Sequence, residues 1–146
     1  MHFLVNPKLL NAYSSINDII SISFNSTYKS LMSVKIYHNP RCSKSRQTLQ
    51  LLEEQGVQAE VIEYLKTPPS AAELDEVLKL LNIEPRALMR TKEAEYKATG
   101  MDNPDLDRAA LIAGMVASPK LIERPIVISN GKAAIGRPPE SVLAIL

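Results

Sequence analysis

The chain has 146 residues, 45% of them hydrophobic and 23% charged, which is ordinary for a single globular domain. Lys and Arg number 17 against 16 Asp and Glu, and this net charge of +1 argues against nucleic acid as the main partner. No apolar run approaches the roughly 18 residues of a membrane span, and a single cysteine excludes an intrachain disulfide. We therefore expect a cytoplasmic protein with no membrane partner, monomeric by default.

Residues 1–31 differ in composition from the rest of the chain. They are rich in Asn and Ser and hold only three charges, Lys8, Asp18 and Lys29. They lack the basic start and clean cleavage site of a signal peptide. We expect a poorly ordered N-terminal extension over residues 1–31 and one domain over residues 32–146. Met32 opens the regular pattern, so translation is expected to start there.

The first half of the domain has the pattern of a βαβ unit. Alternating β-branched residues predict a strand over residues 34–38. A helix capped by Ser43 or Ser45 is expected to run to about Gln55. The second strand, over residues 59–64, follows after a connection of crossover length, which predicts that the two strands are parallel.

The second half contains helices followed by a hairpin. Ser70 and Glu73 form a capping box at the first helix, and further helical regions are predicted over about 85–98 and 104–117. Strands over 125–128 and 132–135 flank Asn-Gly, the strongest hairpin signal in the chain, and a final helix follows. This order predicts an α/β fold that is thioredoxin-like and three-layered, with βαβ and ββα halves around a small mixed sheet and a helical insert.

Cys42 lies in the segment HNPRCSKSR, between the first strand and the first helix. A free cysteine is often a buried hydrophobic residue, but this one sits in a turn beside a polar run. The unpaired N–H groups and positive dipole of a helix N-terminus favour the thiolate and also attract an oxyanion. His38 and Arg46 add nearby protonatable or positive groups, although a histidine that ends a strand can simply bond to backbone. We therefore predict a reactive thiolate at Cys42.

Ser45 occupies the position where a C-x-x-C motif has its second cysteine, so Cys42 must be resolved by an external thiol. Ser45 either hydrogen-bonds the sulfur or the substrate, or caps the helix. One cysteine and two histidines do not make a metal site, and no bound cofactor is expected.

Residues 33–146 resemble the arsenate reductases that depend on glutathione and glutaredoxin. The matching segments, in chain order, are IYHNPRCSKSR, YLKTPPS, RALMR, ERPIVIS and GRPPESVLAIL. The resemblance implies that the Cys42 thiolate attacks arsenate, that glutathione attacks the resulting adduct, and that glutaredoxin removes the glutathione and arsenite is released. It further implies that three arginines hold the oxyanion, namely Arg90, Arg124 and Arg137. His38, Ser45 and Arg46 match the residues that tune the thiol, and Pro125 matches the cis proline of thioredoxin-like folds.

Two other functions remain open from the sequence. Redox-related transcription regulators of the same fold bind RNA polymerase, but they typically carry the C-x-x-C pair that Ser45 removes here. A reductase acting on another oxyanion is the second possibility, because arginines that bind arsenate also bind phosphate or sulfate.

Overall fold

The computed structural model describes residues 33–146, and the predicted extension over residues 1–31, together with Met32, lies outside the described residues. Strands and helices follow one another in the predicted order. None of the described helices is long and apolar enough to cross a membrane. They are β1 (Val34–His38), α1 (Ser43–Glu54), β2 (Ala59–Glu63), α2 (Ala71–Leu81), α3 (Pro85–Leu88), α4 (Ala94–Ala98), α5 (Arg108–Ala117), a first 3₁₀ helix (Pro119–Leu121), β3 (Ile126–Ser129), β4 (Lys132–Ile135) and a second 3₁₀ helix (Pro139–Ile145).

The sheet has four strands in the order β2-β1-β3-β4. β1 pairs parallel to β2 and antiparallel to β3, and β3 pairs antiparallel to β4, which confirms the mixed sheet and the parallel βαβ unit. Asn130 and Gly131 connect β3 to β4 with φ angles of 54° and 68°. Positive φ at both central residues gives the turn a twist that matches the flanking strands.

Two hydrophobic cores lie on opposite faces of the sheet, which confirms the three layers. The alternation along β1 sends Ile36 to one face and Tyr37 to the other. The smaller core packs against α1 and the second 3₁₀ helix, and the larger core packs against the helical insert. The smaller core comprises Val34, Ile36, Leu52, Val127 and Val142, and the larger one includes Leu74, Leu78, Leu88, Met115, Leu121 and Ile126.

The predicted ranges of α1 and α2 are confirmed, and several other predictions about the helices are wrong. Ser70 caps α2 by accepting the Glu73 N–H at 3.1 Å. α5 begins at Arg108 rather than near residue 104, because the Asp107 side chain caps it by accepting the Ala110 N–H at 2.8 Å. The final helix is 3₁₀ rather than α. Neither Ser43 nor Ser45 caps α1, whose N-cap residue is Cys42 itself.

The predicted helix over residues 85–98 is interrupted, because its middle pairs with a distant segment. Met89 is extended and forms a β-bridge with Ile122. Arg90 N–H donates to the Leu121 carbonyl at 2.8 Å, and Glu123 N–H donates to the Leu88 carbonyl at 2.8 Å. These bonds tie the helical insert to the loop that enters β3.

Arg86 has a structural role in the insert. Its Nη1 atom donates to the Tyr96 hydroxyl at 2.8 Å and to the Met101 carbonyl at 2.7 Å, and its Nη2 atom donates to the Asn103 carbonyl. A guanidinium with several donors can hold a short helix and the turn after it together. Arg86 therefore serves the packing of the insert, through one hydroxyl and two carbonyl groups.

Candidate active site

One end of the sheet collects residues that are far apart in sequence. β1 and β2 both finish there, β3 begins there, and β4 returns to it. Cys42 follows β1, Tyr64 follows β2, Arg124 lies shortly before β3, and Arg137 lies shortly after β4. The strand directions alone thus place a thiol, a phenol and two guanidinium groups at one edge.

Cys42 is the N-cap residue of α1 and is 9% exposed. Its N–H donates to the Asn39 carbonyl at 3.0 Å, and its carbonyl accepts the Arg46 N–H at 3.0 Å, so the turn and the helix both hold it. Its side chain stands where a serine or aspartate oxygen normally accepts the first free N–H groups of a helix. The sulfur makes no cap hydrogen bond, but the nearby Ser45 and Lys44 N–H groups act to lower the pKa of the thiol.

The environment favours the thiolate of Cys42. Burial raises the pKa of the thiol, but this effect is outweighed by the backbone N–H of Ser45, the charge of Arg124, the backbone N–H of Lys44 and the Arg137 guanidinium. The net result is a pKa below the ordinary value for cysteine. Because the thiolate is the nucleophilic form of cysteine, a lowered pKa favours nucleophilic chemistry at this position.

Ser45 and His38 connect the end of β1 to the first turn of α1. The Ser45 hydroxyl oxygen lies 2.7 Å from His38 Nδ1 and accepts the Asn39 N–H at 3.0 Å. Both side chains are buried. Burial lowers the pKa of His38, the Glu63 charge raises it and the Arg46 charge lowers it, and the net shift is downward. A neutral imidazole whose Nδ1 accepts a hydrogen bond from the Ser45 hydroxyl fits these contacts, which join the end of β1 to the first turn of α1.

Arg137 lies at the sulfur, and Arg124 lies close enough for its charge to act on the thiol. Arg137 Nη1 is 3.9 Å from Cys42 Sγ and donates to the Arg124 carbonyl at 3.2 Å. The Arg124–Pro125 and Arg137–Pro138 peptide bonds are both cis, and the Gly136 N–H donates to the Pro125 carbonyl at 2.9 Å. Two of the three predicted arginines thus come together at the thiol.

Arg90 lies further along the same edge. It pairs with the Glu93 carboxylate, and its Nη1 atom donates to the Lys120 carbonyl at 3.3 Å. Its charge, with that of Arg124, acts to lower the pKa of Tyr64, which burial raises overall. Arg90 and Arg124 therefore share a neighbour, although Arg90 itself is held mainly by the insert.

The sequence did not single out Tyr64 or Glu123 as site residues. Tyr64 is 1% exposed, and its hydroxyl has no hydrogen-bond partner among residues 33–146. Cys42 and Glu123 both act to raise its pKa, which places the phenol in the same electrostatic neighbourhood as the thiol. Both residues fall inside the matched segments YLKTPPS and ERPIVIS. A tyrosine or a glutamate in such a segment does not indicate a site residue until its position in the fold is known.

The charged residues that flank Cys42 in sequence have separate roles. Arg46 Nη1 donates to the Pro40 carbonyl at 3.0 Å and braces the turn. The backbone N–H of Lys44 acts to lower the pKa of Cys42, and the Arg41 side chain is exposed. Within residues 33–146, no three His, Cys, Asp or Glu side chains are grouped so that they could hold a metal ion.

A family model describing the ArsC family matches residues 37–145. The chain belongs to the ArsC family. An arsenate reductase of Neisseria meningitidis is 53% identical over 114 residues, covering 77% of this chain and 97% of that protein. The uncharacterized protein YfgD of Escherichia coli K12 is 59% identical over 114 residues, covering 77% of this chain and 96% of its own. A solved arsenate reductase from Vibrio cholerae aligns with a TM-score of 0.77 and 56% identity, covering 79% of this chain and 98% of that one.

Membership of the ArsC family confirms the arsenate-reductase resemblance and the thioredoxin-like fold inferred from the sequence. The matched region contains every residue of the site, from His38 to Arg137.

Proposed function

We propose that this protein reduces arsenate by attack of the Cys42 thiolate on the arsenic atom. The observation that carries the proposal is the sulfur itself, which has a lowered pKa and lies 3.9 Å from the Arg137 guanidinium. A nucleophile and a cation side by side suit a reaction between a thiolate and an oxyanion, since the oxyanion must be partly neutralised before an anionic sulfur can approach.

Arginine is suited to the substrate. Arsenate is a tetrahedral anion, and a guanidinium offers planar, permanently charged donors that can bind two of its oxygens at once. Arg124 and Arg137 would hold the oxyanion at the sulfur, and Arg90 would contact it or a later adduct from the insert.

The proposed reaction takes two electrons from two external thiols. The Cys42 thiolate forms a sulfur–arsenic bond, and one arsenate oxygen leaves as water after protonation. Glutathione then displaces a second oxygen, also as water. A glutaredoxin thiolate attacks the glutathione sulfur, forming a mixed disulfide and leaving the electron pair on arsenic. Hydrolysis of the remaining sulfur–arsenic bond releases arsenite and regenerates Cys42.

External thiols follow from the cysteine count. The chain has one cysteine, so it cannot form an intrachain disulfide during turnover. Glutathione as reductant and glutaredoxin as protein partner satisfy this requirement, with no cofactor bound to the chain. Both belong to a reducing compartment, so we place the reaction in the cytoplasm.

The test is arsenate-dependent NADPH oxidation in the presence of glutathione, glutaredoxin and glutathione reductase. Cys42→Ser should abolish turnover, because a serine hydroxyl is a far poorer nucleophile than a thiolate. Unchanged activity in this variant would eliminate the mechanism. If folded wild-type protein does not reduce arsenate but reduces another oxyanion, the proposed thiolate mechanism stands and the proposed substrate is wrong.

The three arginines are tested in the same assay. Replacing Arg90, Arg124 or Arg137 by Ala should each lower kcat/KM by more than about tenfold, as expected for a lost charge-assisted contact. Arg108→Ala is the control, since Arg108 pairs with Asp75 on the helical insert. If the three variants match the Arg108→Ala control, the oxyanion does not bind at this edge of the sheet.

A further inference from the structure

Glu123 places a carboxylate between the two arginines at the sulfur. Its Oε1 atom accepts the Arg124 backbone N–H at 3.1 Å and Arg124 Nη1 at 3.5 Å. The same oxygen lies 3.8 Å from Arg137 Nη1, which is itself 3.9 Å from Cys42 Sγ. The carboxylate oxygen and the sulfur therefore share one guanidinium nitrogen as neighbour.

The backbone holds Glu123 in this position. Its N–H is bonded to the Leu88 carbonyl, and the residue before it forms the β-bridge with Met89. Its side chain is 29% exposed, so a ligand that reaches the thiol from solvent can also reach the carboxylate. Glu123 is thus a fixed wall of the site rather than a mobile surface residue.

A carboxylate in the wall of an anion site has a definite consequence. An oxyanion held by Arg124 and Arg137 lies beside the Glu123 oxygen, and the two negative groups repel each other when no proton lies between them. An oxyanion that carries an O–H group donates it to the carboxylate, and the repulsion becomes a charge-assisted hydrogen bond. Because the Glu123 carboxylate is only partly exposed, water compensates it incompletely, and a ligand of the same shape that lacks the donor binds less well.

We infer that Glu123 is a specificity-determining residue that selects oxyanions carrying an O–H group. Hydrogen phosphate and hydrogen arsenate meet this requirement near neutral pH, whereas sulfate has the same shape and charge as hydrogen phosphate but no proton. The inference rests on the proposed function only in placing the oxyanion between Arg124 and Arg137.

The test uses inorganic phosphate and sulfate, neither of which is reduced. Each anion is titrated against the rate at which iodoacetamide alkylates Cys42 at pH 7 and constant ionic strength, in the full chain. The half-protecting concentrations are compared as a sulfate-to-phosphate ratio within each variant, which cancels any change in thiol reactivity. The variants are Glu123→Gln, Glu123→Asp and, as a control of equal charge change, the exposed Glu140→Gln.

We expect phosphate to protect wild type at a concentration at least about tenfold lower than sulfate does. This is the ratio expected when one anion makes a hydrogen bond to a charged group and the other does not. In Glu123→Gln the half-protecting concentrations of sulfate and phosphate should differ by no more than about twofold, mainly because sulfate protects better than in wild type. Glu123→Asp and Glu140→Gln should still prefer phosphate.

Three results would overturn the inference. An unchanged ratio in Glu123→Gln, with both anions gaining affinity equally, would make Glu123 a displaceable competitor and not a selector. Loss of the preference in Glu123→Asp as well would show that the negative charge is not its cause. Absence of protection by either anion in wild type would refute the oxyanion site, and with it the proposed function, whereas the first two results leave that function intact.

Discussion

Removing the Arg137 guanidinium measures how far one charge stabilises the Cys42 thiolate. Arg137 Nη1 lies 3.9 Å from the sulfur, and its side chain is 39% exposed. Two unit charges about 4 Å apart interact by about 1 kcal/mol in water and about 4 kcal/mol at the lower dielectric of a protein surface. Because water screens a side chain this exposed, the lower figure applies. In Arg137→Gln the ratio of thiolate to thiol should therefore fall about fivefold.

The assay is the rate of Cys42 alkylation by iodoacetamide as a function of pH, without any oxyanion present. At pH values below the thiol pKa, the Arg137→Gln rate should be about fivefold below wild type, and the inflection of the profile should move to higher pH. Arg41→Gln is the matched control, because it removes the same charge from an exposed side chain next to Cys42. Its rate should change less, since water screens its charge from the sulfur. If both variants gave the same profile, the reasoning from the 3.9 Å contact would be refuted.

Three further predictions concern stability, each measured by urea unfolding under reducing conditions. The Cys42 pKa is lowered in the folded state, so its contribution to the free energy of unfolding is complete above the unfolded pKa of about 8.5 and is lost as pH falls through the folded pKa. The stability of wild type relative to Cys42→Ser should therefore rise with pH across that interval, and a flat difference would contradict the lowered pKa. Arg86→Ala removes three hydrogen bonds and should destabilise by about 1–3 kcal/mol while leaving Cys42 alkylation unchanged. Ser45→Ala removes the partner of His38 and should cost about 1–3 kcal/mol, whereas the exposed Ser43→Ala should cost less than about 0.5 kcal/mol. Equal costs for the two serines would show that the buried network adds nothing.

Local patterns were enough to predict most of the fold. Alternation marked the strands, Ser70 marked the start of α2, and Asn130 with Gly131 marked the hairpin, because each depends on contacts within a few residues. Two errors came from interactions that no local pattern contains. The break after α3 arises because Met89 pairs with Ile122, 33 positions away, and this pairing overrides helical propensity.

The wrong prediction that Ser43 or Ser45 caps α1 also has a tertiary cause. Ser45 has the side chain of a good helix cap, but its hydroxyl turns to His38 and Asn39. The cap position falls to Cys42, whose side chain then faces the free N–H groups at the start of the helix. The sequence placed Cys42 at the start of the helix, while only the folded structure showed that the cysteine is itself the cap.

The amino-acid sequence shows which reactive groups the chain contains: one thiol, no second cysteine to resolve it, and arginines in segments typical of the family. Which of these groups lie close together depends on the fold. Arg137 is 95 positions from Cys42 in the chain, and only the register of the strands brings its guanidinium to the sulfur. The same register places Glu123 between two arginines, which no motif signalled. Residue types are local properties, but distances between remote side chains are set by packing, and the selectivity of a charged site depends on those distances.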